Sequence, residues 1–259
     1  MATKDFAHLH VHTEYSMLDG AARLGDLFNY AKELGMSSMA TSDHGFLFGA
    51  FDFWRQAKAH DIKPIIGVEA YLTPGTHRTD RSRVRWGDGS RDDVSGGGAY
   101  THMTMWAETT EGMHNLFRAS SIASLEGQLY KPRMDREVLQ TYSKGLIATT
   151  GCPSGEIQTR LRLGQFDEAL QAASDFRDIF GKDNFYCEVM DHGLDIERNV
   201  QEDLHRLAKQ LNLPYVATND LHYTRQEDHT AHAALLCVQS GSTLTDPKRF
   251  KFDADNFYL

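Results

Sequence analysis

The chain has 259 residues, 41% of them hydrophobic and 24% charged, and a formal net charge of −9. That composition is ordinary for a soluble globular protein long enough to bury a full core. It excludes a membrane span, because no apolar run approaches the roughly 18 residues needed, and the first ten residues hold no signal-peptide core. Cys152, Cys187 and Cys237 are widely spaced and form no Cys-x-x-Cys, which argues for a reducing cytoplasm and against a disulfide scaffold or a zinc finger. An acidic balance is a poor footprint for a nucleic-acid binder. Acids that ligate divalent ions would reverse that sign locally.

Residues 6–12 read as a strand, and His8, His10 and His12 alternate along it, so a regular strand turns all three to one face. Residues 23–34 carry helical spacing and stop at Gly35. Residues 38–42 form a short strand and 49–60 a helix. Lys63–Leu72, KPIIGVEAYL, is the near-continuous apolar run of a strand buried on both faces. Residues 73–100 break the rhythm with Gly, Arg, Asp and Ser, and a loop of that length usually carries function or is disordered. Strands follow at 102–107, 145–150, 184–190 and 215–218. Helices follow at 113–125, 156–180 with a break at Gly164, 195–211 and 228–238. Seven strands alternating with helices favour a parallel sheet, doubly wound or closed as a barrel. No linker divides the chain. Its end, KFDADNFYL, lacks a helix cap and reads as a cut through a longer polypeptide.

In α/β sheets and barrels chemistry gathers at the carboxyl ends of the strands. His12 ends the first strand, Asp43 and His44 the second, Glu69 lies near the end of the third, Cys152 ends the fifth, Asp191 and His192 the sixth, and Asp220 and His222 the seventh. Imidazole, carboxylate and thiolate are ligands of zinc and its transition-metal neighbours. More than four such groups suit more than one ion. Singly, each has a plainer role: a half-exposed strand accommodates His-x-His, Asp43 suits a cap, and Cys152 suits a small buried hydrophobe. Their shared rim favours the metal reading. His60, His77, His114 and His205 read as solvated, as does the polar helix face carrying His229 and His232. His102 precedes its apolar run, so it is either structural or the chain re-enters from the active rim with 102–107 antiparallel. Spacing separates the first three histidines. His8 and His12 would lie roughly 13 Å apart on a strand, whereas paired metals sit about 3.5–4 Å apart. One cluster reaches His10 and His12 but not His8.

Together, HLHVHTEYSMLDGA, SDHG, KPIIGVEAYL, YTHMTMWAE, TTGCPSGEIQTRLRLGQ, MDHG, ATNDLHY and DPKRFKF resemble the PHP (polymerase and histidinol phosphatase) domain. The resemblance is to the form found in α subunits of bacterial replicative C-family polymerases of the actinobacterial type. It implies a distorted (β/α)7 TIM-like barrel with a trinuclear metal site at its C-terminal rim. It implies as ligands His10, His12, Asp19, His44, Glu69, His102, Cys152, Asp220 and His222, with Asp19, Glu69 and Asp220 as the catalytic carboxylates. It further implies one PHP domain over 1–259 at the head of a longer polymerase, and a proofreading 3′–5′ exonuclease acting on single-stranded 3′ ends or a primer terminus. Three divalent ions, zinc, manganese or iron, would be the cofactors, and the rest of the polymerase and its holoenzyme the partners, with no membrane. Asp43 and His192 are candidates to support the ligands, and Arg81, Arg83 and Arg85, with Arg78 and Arg91, to guide the DNA backbone. A phosphoesterase for small phosphomonoesters, or a metal-organised structural module, would use the same residues.

Overall fold

The computed structural model describes residues 6–259; residues 1–5 of the expected domain span lie outside the described residues. The elements are α1 (Leu24–Glu33), β1 (Ser38–Thr41), α2 (Ala50–Ala59), β2 (Lys63–Leu72), the irregular turn α3 (Ser95–Gly98), β3 (Thr101–Ala107), α4 (Thr110–Glu126), β4 (Gln128–Leu129), β5 (Lys131–Met134), α5 (Arg136–Tyr142), β6 (Leu146–Thr149), α6 (Glu156–Arg162), α7 (Phe166–Phe180), β7 (Phe185–Val189), α8 (Asp195–Leu211), β8 (Tyr215–Ala217) and α9 (His229–Ser240). The helices arise where the sequence repeats apolar residues at helical spacing. In α1, Leu24, Leu27, Phe28 and Ala31 make one buried stripe. Gly164, at φ 71°, separates α6 from α7 as expected. No helix among the described residues is long and apolar enough to cross a membrane.

β2 is the central stave. Its first half pairs in parallel with β1, from Ser38 opposite Lys63 to Thr41 opposite Ile66. Its second half pairs antiparallel with β3, from Gly67 opposite Trp106 to Leu72 opposite Thr101. β6 continues antiparallel to β3, and β7 and β8 follow in parallel. The N-terminal segment closes the ring. The Ala40 and Ser42 amides donate to the His8 and Val11 carbonyls, while the Leu221 amide donates to His10 and the His12 amide to Leu221. The result is a distorted seven-stave barrel clad by helices. Its larger core joins β2, β3, β6 and β7 to α4–α8, and a smaller one packs Val11 and Leu221 against α1 and α2.

Three expectations need correction. The sheet is mixed, because the 73–100 excursion returns the chain to the rim it left, with no crossover helix to reverse it. β3 therefore starts at that rim, and His102, opposite Tyr71, lies near Glu69. Residues 6–12 form no regular ladder: the carbonyls bonded to β1 are three residues apart, and the Val11 amide turns instead to Ser42 Oγ at 2.8 Å. The β4–β5–α5 unit was not expected, since strands of two and four residues around Pro132 carry no readable alternation. The long loop is ordered in place. Arg133, 1% exposed, donates to the carbonyls of Gly127, Ala99, Arg78 and Asp80, and Asp93 accepts from the amides of Trp86, Gly87, Gly89 and Val94.

Candidate metal centre

The loop 13–20 delivers Asp19. Gly20 follows it because a Cβ there would collide with the Thr13 carbonyl. Asp43, 4% exposed, fixes this loop. It accepts from the Thr13 amide at 2.7 Å, Thr13 Oγ1 at 2.9 Å, Ser16 Oγ at 2.7 Å and Thr41 Oγ1 at 3.0 Å. Ser16 Oγ in turn meets His12 Nδ1 at 3.0 Å. The carboxylate thus orients the His12 ring through a hydroxyl.

At the rim, His44 Nε2 lies 2.7 Å from Asp19 Oδ2, and its Nδ1 lies 2.6 Å from Glu69 Oε2. His102 Nδ1 is 2.9 Å and Cys152 Sγ 3.1 Å from Glu69 Oε1. Asp220 Oδ1 is 3.3 Å from His10 Nε2 and 3.2 Å from His12 Nε2. His222 Nε2 stands 3.7 Å from Asp19 Oδ2. All nine residues that the resemblance implies as ligands therefore converge. Asp220 sits at φ 43°, a left-handed backbone that Asp tolerates better than most residues.

The protonation of this cluster follows from its burial and its neighbours. Burial opposes charge on His10, but Asp220 and Glu188 overcome it and raise its pKa well above the ordinary value. Burial likewise works against His44, yet Glu69 and Asp19 carry it up to about 10. Burial, with His44 and His222 alongside, takes His12 down to about 3. Asp19 and Glu69 are held well below the carboxylate range, their burial outweighed by the surrounding imidazoles. Burial, then Glu69 and Asp220, push the Cys152 thiol up.

Protons do not satisfy the arrangement. His10 Nε2, His12 Nε2, His44 Nδ1, Glu69 Oε2 and Asp220 Oδ1 are buried and have no partner outside their own set; within it, His44 Nδ1 and Glu69 Oε2 approach to 2.6 Å, while the others have no hydrogen bond. Buried polar atoms are nearly always satisfied. These five face one another, and His12, His44 and His222, or His10, His12 and Asp220, or His44, Glu69 and His102 each bring ligand atoms within 4.8 Å. The donor set therefore fits transition-metal ions. The cluster floors a cleft of about 410 Å³ walled by Phe46, Phe48, Tyr100, Phe250 and Phe252, with Lys131 at its edge.

A family model described as the PHP domain matches residues 8–192. The chain belongs to the PHP domain family. It is 59% identical over 268 residues to the DNA polymerase III subunit alpha of Saccharopolyspora erythraea, covering 100% of this chain and 22% of that protein. It is 55% identical over 261 residues to the subunit of the same name from Mycobacterium tuberculosis, with the same shares covered. The chain thus spans about a fifth of the length of these curated relatives. Among solved structures, a two-domain protein from Bacteroides vulgatus, described as containing a predicted PHP-like metal-dependent phosphoesterase, aligns at TM-score 0.50 and 14% identity. The match covers 92% of this chain and 55% of that one, and it shows the PHP-like fold alone.

Other expected residues fall outside the cluster. His8 is buried, its Nδ1 lacks a partner, and it joins none of the three groupings. His192 uses both ring nitrogens, one on Glu197 at 2.6 Å and one on the Asn219 carbonyl at 2.9 Å, so it braces the turn before Asp220. Asp191 is exposed and accepts from the Gly193 amide. Arg81, Arg83 and Arg85 do not line the cleft. Arg83 is held by the Gly96 and Gly97 carbonyls, and Arg81 by that of Gln128. His232 corrects the solvated reading of its helix face: it is 2% exposed, and its Nε2 bonds the Asp19 carbonyl at 2.8 Å. Glu188 escaped the sequence reading altogether. Its signal was a lone acid inside the apolar strand FYCEV.

Proposed function

We propose that this chain is the PHP module of a replicative polymerase α chain and removes nucleotides from the 3′ end of single-stranded DNA. The observation that carries the reading is the set of five buried nitrogen and oxygen atoms that face only one another, beneath an open cleft lined by Asp19, His44, Glu69, Asp220 and His222. His10, His12, Asp19, His44, Glu69, His102, Cys152, Asp220 and His222 would hold three divalent ions, zinc, manganese or iron. Held there, such ions would supply the Lewis acidity that activates water near neutral pH and offsets charge on a departing oxygen.

The chain's own groups do the rest. Asp19, Glu69 and Asp220 supply the negative charge that concentrates cations. Asp43, acting through Ser16, and His192, acting through Asn219, keep that geometry. The aromatic walls offer faces on which unpaired bases stack, and Lys131 is placed to meet a phosphate. The names of the relatives support a polymerase setting, with the rest of the polymerase and its holoenzyme as cytoplasmic partners and the whole chain acting as one domain. The test is a 5′-labelled single strand incubated with the metal-reconstituted chain. Stepwise shortening from the 3′ end, stopped by chelation, is expected. Intact DNA alongside hydrolysis of a small phosphomonoester would replace this reading with a phosphomonoesterase.

A further inference from the structure

Glu188, in β7, is 0% exposed and lies behind the cluster. Its Oε1 meets His10 Nδ1 at 2.7 Å and Thr218 Oγ1 at 2.6 Å. Its Oε2 receives the Thr149 hydroxyl. Thr149 Oγ1 also accepts from the Gly151 amide at 3.1 Å, which leaves its hydrogen for the carboxylate oxygen it adjoins. As a carboxylate, Glu188 accepts at both oxygens, so His10 Nδ1 donates to it at 2.7 Å, with Thr104 Oγ1 farther from the same nitrogen at 3.3 Å. A neutral His10 ring then carries its hydrogen on Nδ1 and presents a bare Nε2. That Nε2 is the partnerless atom 3.3 Å from Asp220 Oδ1 and 3.6 Å from Glu69 Oε1.

We propose that Glu188 is the positioning residue of the centre: a buried carboxylate that sets the tautomer and the aim of His10, so that Nε2 enters the cluster ready to ligate. Partners of this kind orient a ligating imidazole and raise its basicity. The placement also explains why an acid is kept inside an apolar strand. Glu188 ties β6 through Thr149 and the segment after β8 through Thr218 to the N-terminal segment through His10, so three staves converge on one ligand. It reaches no other member of the nine. The inference rests on the reading that the cluster binds metal, but not on what the centre hydrolyses.

Glu188→Gln tests it with little change of shape. An amide offers one acceptor and one donor where the site needs two acceptors. If the NH2 faces His10, the ring hydrogen moves to Nε2 and blocks ligation; if it faces Thr149, that hydroxyl loses its acceptor. Zinc affinity is measured by chelator competition. In the zinc-loaded chain, proton NMR follows the protected ring Nδ1–H of His10. The expected result is zinc binding roughly 10- to 100-fold weaker and an unchanged far-UV circular dichroism spectrum, with the resonance lost if the NH2 faces His10 and shifted from its wild-type position if the weaker amide acceptor faces it. Thr149→Val, which leaves the carboxylate in place, should weaken zinc less and keep the resonance, and it decides the matter if Glu188→Gln does not fold. Wild-type zinc affinity with the resonance unmoved in Glu188→Gln, or wild-type affinity in Thr149→Val if that variant must decide, overturns the assignment. A wild-type chain that takes up no zinc overturns the metal reading and this one together. A wild-type chain that binds zinc but leaves DNA intact refutes only the exonuclease.

Discussion

At the scale of single residues, the three alternating histidines have different tasks. His10 and His12 point partnerless nitrogens at Asp220, whereas His8 is taken down to a pKa of about 4 by burial and joins no cluster. Replacing His10 or His12 by Ala should remove bound metal and nuclease activity together. His8→Asn should keep both and lose only thermal stability, and elemental analysis of the three variants checks this; metal loss in the His8 variant would contradict it. Asp19→Asn and Asp220→Asn should keep the fold while lowering DNA degradation on the order of 100-fold or more, as when a preorganised electrostatic contact is removed. Undiminished degradation would remove these carboxylates from the chemistry. A pH effect follows from His44, whose pKa in the metal-free site rises from 6.5 to about 10. A raised histidine stabilises the fold fully below its unfolded pKa and loses that contribution as pH climbs through the folded value. The metal-free chain should therefore melt at progressively lower temperature between pH 6.5 and 10. Metal affinity should run the other way, since protons compete for the same atoms. A flat melting profile for the metal-free chain would contradict the pairing. These residues were legible because they recur at strand ends. Ser16, Glu188 and His232 were not, because their parts depend on contacts between distant segments.

At the scale of elements, the loop 73–100 is anchored by one buried guanidinium. Arg133→Leu would strip donors from four carbonyls, a loss on the order of 3 kcal/mol for bonds to a charged group. Limited proteolysis should then cut within the loop, and unchanged resistance would show that the loop holds itself. The loop's arginines can be tested separately. Changing Arg81 and Arg85 to Glu should weaken single-strand binding and flatten its salt dependence, because phosphate contacts release counterions. Hydrolysis of a small phosphodiester should stay the same. Unaltered affinity and salt slope would leave those side chains as surface only. The sequence showed the loop as a break in pattern but hid its order, since Arg133 sits beyond it in a strand of four residues.

At the scale of the molecule, alternating strands and helices made an α/β barrel legible, and the position of His102 ahead of its apolar run pointed to a reversed stave. The small β4–β5–α5 unit stayed hidden, as did the irregular pairing of residues 6–13, because both are set by neighbouring staves rather than by local pattern. The barrel gathers nine ligand-type side chains from seven separate stretches of chain onto one rim, where five buried nitrogen and oxygen atoms face only one another. Metal content tests this most directly. Elemental analysis of the purified chain, reconstituted with excess zinc or manganese and freed of loosely held ions, should return close to three ions per chain. A reproducible value of one or none would contradict the trinuclear centre.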